Sequence, residues 1–501
     1  MFYKNYINSK MKFKEFKTEA FDKDCLYDKS DNVLEFGSCK NVYNFDTLSG
    51  ALLDGDGVSS EMEIKYYNDQ GILTSKNLTA PYRGNVRYVY FVRIYTSERK
   101  YASYLICIDT TGKVWFNLLN SADTTFTEIT GKMYIVRPVV SVVSYLGIDW
   151  VTFSYGNEVY VWRPDQTTFT MSNGLPGIGC ACEYDNRTFA TSNYYKQSVM
   201  YSDQFNPLNI TINNVNGGYI NFDDDLGACQ KIFTFNNRLY VIREYGITQI
   251  TRGKNKRDFD VVNLIICNSL IYKDTIAFCG DKIMFMCYDG LYEFDGAKTK
   301  KITLGIEKLL CKDWQAKAMA DYLDGYYYLA FTTKFDDDRT LPAETNINKI
   351  NNSFIRVNVD THKYVLVRGV DMRSICAVKD QCNSFVVGAF ALEILHNGLG
   401  FIKPNSAIGT TNILKVWEST ISDFGYPGKI KYVKEMRFIS KKDIKVILNL
   451  DGKTRRINVT GSNAMQTIKI REKVRQFGFG FESTSGDNYI TNPTFTVGIY
   501  E

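Results

Sequence analysis

Histidine is nearly missing from this chain: only His362 and His396 occur among 501 residues. That scarcity removes most nucleophile–histidine templates, because any Ser-His-Asp or Cys-His unit would depend on one of two isolated positions. It also argues against a zinc site, since the only close cysteine pair, Cys180-Ala-Cys182, has no histidine nearby. Proline is scarce too, with 9 residues. Long apolar runs are absent. The most apolar stretch, Val139 to Ile148, stops at Asp149, about half of the roughly 20 residues a membrane-spanning helix needs. Neither charge sign dominates, with 60 Lys and Arg against 55 Asp and Glu and a formal net charge of +5. The first residues, Met1-Phe-Tyr-Lys-Asn-Tyr6, hold no apolar core of a signal peptide. Neither a phosphate-cradling Gly-x-x-x-x-Gly-Lys-Ser/Thr nor a dinucleotide-binding glycine fingerprint is found. The expectation is a chain with no cofactor and no membrane partner, made in a cytosol.

Aromatic residues are plentiful, with 35 Tyr and 32 Phe, and hydrophobic residues make up 45% of the chain. That composition supports a large core and leans towards pleated, half-buried strands. Most of the twelve cysteines lie inside apolar runs, as at Cys107, Cys267, Cys279 and Cys287. There they read as small buried hydrophobes, with neither disulfides nor metal expected.

The dominant pattern is a short apolar run, a tight turn and a second apolar run, the signature of a β-hairpin. Such pairs occur at Tyr104–Phe116, Trp150–Trp162, Arg187–Ser202, Ile232–Ile242, Thr275–Met286, Ala320–Phe331 and Cys376–Gly388. Turn centres near Gly112, Gly156, Lys196, Asn237, Asp281, Asp324 and Gln381 are separated by 44, 40, 41, 44, 43 and 57 residues. A repeat of roughly 40–45 residues is that of a four-stranded propeller blade. The fold class expected is therefore all-β: a β-propeller of six to eight blades, seven as the best guess. The N-terminal segment is expected to lend a strand that closes the ring. One stretch differs, because Ile306, Leu309, Leu310, Trp314 and Ala318 stand at helical spacing and predict a helix over 305–320. After about Gly400 seven short alternating segments crowd into a hundred residues, with the hairpin turn Asp451-Gly452. That density predicts a β-sandwich or jelly-roll-like domain. The expected division is an N-terminal extension over 1–40, the propeller over 41–398 and the sandwich over 399–501.

Candidate chemistry is thin. The aspartate triplets 223–225 and 336–338 could support glycoside hydrolysis or hold Ca²⁺, but read more simply as solvated turns. The C-terminal region is locally basic, with 14 Lys and Arg between Lys429 and Arg475 against four acidic residues. That excess of 14 − 4 = +10 leaves 5 − 10 = −5 for the rest of the chain. The charge is two-sided, as suits oriented docking against a neighbour. Lys441, Lys442, Arg455 and Arg456 are the candidate contact residues, for a protein subunit or for DNA phosphates.

Several stretches together resemble one family, the propeller proteins of short-tailed bacteriophages that form the tail nozzle or stabilise the head-to-tail junction. Asn41-Val-Tyr43, Ser49-Gly-Ala-Leu52 and Gly57-Val58 resemble the family's opening. Asp185-Asn-Arg187 followed by Val199-Met-Tyr-Ser-Asp203 and Asn206-Pro207 resembles one of its blades. Phe235, Arg238-Leu-Tyr-Val241, Arg243 and Gly246-Ile247 look like the next, and Asp258-Phe259, Phe285, Asp289-Gly-Leu-Tyr292 and Asp295-Gly296 like the one after. The resemblance implies a non-enzymatic structural virion protein of the tail. It would form a homo-oligomeric ring against portal, adaptor or other tail proteins, with packaged double-stranded DNA as a further partner in the channel. A tail-associated receptor- or glycan-binding propeller is the alternative, and a glycan-degrading enzyme a more distant one.

Overall fold

The computed structural model describes residues 11–18, 21, 25, 27, 36–81, 85–96, 98–145, 147–172, 177–204, 206, 209–210, 217–253, 258–341, 344, 351–391, 397–404, 407–409 and 411–500. Pro207 and His396, singled out above, lie outside them. Antiparallel strands dominate, and seven four-stranded blades form a closed β-propeller. The first blade runs from Val86–Tyr95 to Thr127–Ile129, the second from Val139–Tyr145 to Thr170–Met171 and the third from Ile178–Tyr184 to Gly218–Asn221. The fourth spans Cys229–Phe235 to Phe259–Ile266 and the fifth Ala277–Cys279 to Thr299–Ile302. The sixth begins at Met319–Leu323 and ends in the first half of the strand Tyr364–Lys379. The second half of that strand opens the seventh blade, pairing with Ser384–Ala391. Gly369, at φ 87°, sits between the two halves, and a side chain there would press on Leu341.

Each of the seven sequence hairpins falls in a different blade, which is why their number equals the blade count. In the first three blades the hairpin joins the second and third strands; in the last four it joins the first and second. The turns that open the left-handed region are built from residues that tolerate it, such as Asn236, Asn237 and Asp324. The long final interval of 57 residues arises because the chain leaves the sixth blade after Tyr326–Phe331 and returns only at Asn351–Asn358.

Closure comes from near the N-terminus. Gly57–Ser59 pairs with Asn397–Lys403 as the fourth strand of the seventh blade, with Ala407–Ile408 bridging its far side, so both ends of the propeller segment share one sheet. Apolar side chains fill the seams between blades. Cys107 and Leu105 of the first blade cluster with Val378, Val387 and Phe401 of the seventh, for example, together with Ile64 of the hairpin 63–77 and Met62 just before it. Full burial of each such side chain is worth about 1.5–3 kcal/mol.

The second unit is a β-sandwich. One sheet carries Met11–Lys17, Thr494–Tyr500, Lys431–Ser440 and Ser462–Val474; the other carries Cys39–Tyr43, Lys415–Ser419, Phe477–Ser483, Ile444–Leu450 and Lys453–Val459. Trp417, Phe438, Phe477, Phe479, Phe481 and Phe495 pack its core. The expected boundary at residue 41 is corrected, because Met11–Lys17 and the strands from Cys39 to Asp54 belong to the sandwich and the propeller begins at Gly57. Met11–Lys17 is thus an integral strand of the sandwich rather than part of an extension.

The helix expected over 305–320 is also corrected: only two short 3₁₀ turns form, Glu307–Leu309 and Lys312–Lys317. Leu310 is extended and bridges Thr333, and the buried Gln315 side chain takes the place of a strand partner. Its amide donates to Thr332 O at 2.6 Å and accepts from Thr332 N at 3.1 Å. Helical spacing of the apolar residues reflects a wrapped connector whose backbone bonds are made sideways.

Candidate interaction surface and the joint between propeller and sandwich

Each aspartate triplet splits by burial. Asp223, Asp225, Asp336 and Asp338 are exposed, while the central aspartate of each triplet turns inward to an arginine. Asp224 Oδ1 lies 2.5 Å from Nη1 of the fully buried Arg243, and its other oxygen accepts from Asn263 at 2.9 Å. Burial raises the Asp224 carboxyl, but hydrogen bonds from Asn263, Leu226 N–H and Arg243 outweigh it and hold the pKa below the ordinary value.

Asp337 stands at the joint of the two units. Arg368 of the sixth blade, with a side chain 1% exposed, grips it through two parallel bonds of 2.7 and 2.9 Å and takes Glu344 with Nε and Nη2 at 2.5 and 3.0 Å. The guanidinium is stacked between Phe335 at 3.9 Å and Tyr43 of the sandwich at 4.6 Å. Arg339 carries the network across, donating to Glu418 and Glu482 of the sandwich at 2.7 Å each. Asn44 adds a neutral clasp: its side chain accepts from Arg368 N at 2.8 Å and donates to Leu414 O at 2.6 Å. Arg356 reaches Asp56 at 2.7 Å and Asp46 at 3.1 Å. Burial raises Asp337, and the Arg368 hydrogen bonds and charge more than reverse it, leaving the carboxyl below its ordinary range. These residues form a charge-paired bolt, so the reading of both triplets as wholly solvated is corrected. Among the described residues no group of three or more His, Cys, Asp or Glu side chains could hold a metal ion.

Two further motif arginines are internal pins. Arg187, 1% exposed, donates to Ser202 O at 2.6 Å and lies over the Tyr201 ring at 5.6 Å. Arg243 donates to Gly227 O at 2.9 Å and lies 4.7 Å from the Phe222 ring. The sequence pattern of Asn-Arg followed by Tyr-Ser-Asp is therefore a packing device within a blade.

The propeller axis is occupied. Arg137 leads into the second blade and Asp274 into the fifth, on opposite sides of the ring, yet they lie 3.3 Å apart. Tyr90 of the first blade stands 5.6 Å from the same guanidinium and donates to Pro138 O at 2.9 Å. An ion pair spanning the axis leaves no path there for a nucleic-acid duplex about 20 Å wide, whose major groove alone is about 12 Å.

The four candidate contact residues do not share one face: Arg455 stands opposite Leu448 of the sandwich core, and Arg456 opposite Ile447 on the other face of the sheet. Lys441 and Lys442 occupy the turn before Ile444–Leu450, where Lys441 pairs with Asp487 at 2.5 Å. Arg455 and Arg456 are exposed on Lys453–Val459, the edge strand of its sheet. Arg455 reaches Glu472 of the neighbouring sheet at 3.6 Å. Charged edges of this kind keep an unpaired strand from recruiting foreign strands. Sequence reasoning missed the joint, because its members are spread from Tyr43 to Glu482 and no local pattern unites them.

No protein-family model matches the chain, and no curated protein matches it. Among solved structures, BBS1N in complex with ARL6DN, soaked with mercury, is similar at a TM-score of 0.39 and 10% identity, covering 68% of this chain and 96% of that one. Raptor of Chaetomium thermophilum is similar at a TM-score of 0.42 and 6% identity, covering 70% of this chain and 29% of that one. The blade count and the sandwich rest on this chain's own strand pairing.

Proposed function

We propose that this chain is a structural protein of a short-tailed bacteriophage virion, part of the tail or head-to-tail connector, assembled as a ring of copies around the DNA path. The observation that carries the reading is the bolted joint. Buried arginine–carboxylate pairs fix propeller to sandwich, and a rigid two-part body suits a part that transmits load and seals. The resemblance of the blade motifs to the nozzle and junction proteins supports a place in the tail. In this reading any DNA path runs between copies, since Arg137 and Asp274 meet across the propeller. The work is done by rigidity, without turnover.

In this reading the basic residues of the sandwich meet a neighbouring virion subunit. Reversing Lys441, Lys442, Arg455 and Arg456 together to Glu leaves the isolated chain folded, since all four are surface residues, and blocks its incorporation into particles. Normal incorporation with failed DNA retention would assign these residues to DNA and overturn this contact.

One observation favours a receptor- or glycan-binding propeller. Tyr194, Tyr195 and Tyr245 are 68%, 53% and 39% exposed in the adjoining connections of the third and fourth blades. Particles that assemble normally but lose adsorption when these tyrosines become Ala would support that second reading.

A further inference from the structure

The outer face of the first sandwich sheet collects residues from both ends of the chain. Phe13 stands opposite Gly498, Gly498 opposite Tyr432, and Tyr432 opposite Lys473, so one row crosses four strands on the same face. Tyr500 lies on that face two residues beyond Gly498. Phe13 is 50% exposed and meets Tyr432 edge-on at 6.4 Å. Gly498 makes this possible, since a Cβ there would come within 2.6 Å of Met11 Sδ and 3.1 Å of the Phe13 ring. The lysines sit among the rings: Lys434 Nζ is 5.6 Å from the Phe13 centroid, and Lys473 Nζ is 5.6 Å from that of Tyr500. Lys469, opposite Glu435, is exposed further along. The face also holds Lys17 and the paired Arg437 and Glu15. Five basic groups against Glu15 and Glu435 give 5 − 2 = +3.

We infer that this face binds a single strand of nucleic acid, with phosphates on Lys434, Lys469 and Lys473 and bases stacked on Phe13, Tyr432 and Tyr500. Charge complementarity selects a polyanion. The interleaved rings select one whose base faces are free, because base–aromatic stacking contributes about 1–3 kcal/mol per base and a duplex hides those faces. Among the described residues Met11–Lys17 is the edge strand of its sheet, and Phe13 on it is half exposed. This inference does not depend on where in a particle the chain sits.

Fluorescence anisotropy of the full chain with a labelled 20-mer of oligo-dT, a duplex of equal length and heparin tests it. Binding at 50 mM salt at least tenfold tighter for the single strand than for the duplex is expected. Phe13→Ala weakens the single-strand complex by about 5- to 150-fold, as the loss of one stack implies, and Phe13→Trp restores it, which separates stacking from misfolding. Lys434→Glu with Lys473→Glu lowers the salt slope by about 1.4, at roughly 0.7 per phosphate contact on a single strand. Absence of binding at 50 mM salt, equal affinity for the duplex, indifference to Phe13→Ala in a folded variant, or tighter binding of heparin would each overturn it.

Discussion

Replacing Arg368 by Met leaves Asp337 and Glu344 facing each other in a pocket where their side chains are 14% and 13% exposed. The substitution keeps length and apolar stem, so the loss is chiefly the paired cation. Asp337 retains only the 3.4 Å contact of Arg339 Nη1 and weaker neutral donors. Removing one partner of a buried pair costs about 3–5 kcal/mol, because the remaining charge stays desolvated. What calorimetry reads depends on the cooperative unit. With an unfolding entropy of about 2.1 cal/mol/K per residue, the whole chain melting together gives about 1 kcal/mol/K, and the midpoint falls by about 3–5 °C. A sandwich of roughly 150 residues melting by itself gives about 0.3 kcal/mol/K, and a fall of about 10–15 °C in a separate transition. The pH dependence has a definite sign. Asp337 is held below its unfolded value, so its contribution is present above the ordinary carboxylate pKa and is lost as pH falls through the folded one. Wild-type stability therefore drops below about pH 4 more steeply than that of the variant. A second change, Asp337→Leu, in the Arg368→Met background recovers part of the loss. A variant melting within 1 °C of wild type would refute the reasoning, because the joint would then be held by its apolar contacts alone.

Asp224→Ala strands the buried Arg243 and lowers stability by about 2–4 kcal/mol in urea unfolding, while exposed Asp223→Ala stays within about 0.5 kcal/mol. Burial pushes the Lys76 ammonium down to about 8; the unfolded chain then holds the proton more tightly, so this residue adds stability as pH rises from about 8 to 10. Lys76→Met removes that slope in a wild-type-minus-variant series of melts. Denatured, unreduced protein titrates twelve thiols, and native protein reacts far more slowly at Cys107, Cys279 and Cys287, which are buried with raised pKa; fewer than twelve would reveal a disulfide.

Local pattern carried the propeller well because each blade contains one hairpin whose turn and flanking apolar runs are contiguous. It could not place the closing strand, since Gly57–Ser59 is three residues long and is defined only by its distant partner Asn397–Lys403. The same limit applies to Met11–Lys17, taken from the sequence as part of an extension: its pairing with Thr494–Tyr500 is a property of the fold. Periodicity misled at 305–320 because buried Gln315 answers to Thr332 and not to its own turn. Of the candidate contacts, the lysines and arginines were legible as a charge excess. The aromatic row was not, because its rings stand at residues 13, 432 and 500 and only the sheet brings them side by side.

The most direct test of the proposed role is cryo-electron microscopy of virions carrying a tag at the C-terminus of this chain. The account predicts several copies in a closed ring about the tail axis, each propeller offset from that axis and each axis-spanning Arg137–Asp274 pair intact. A single copy, a propeller threaded by DNA, or absence of the chain from the particle would contradict it.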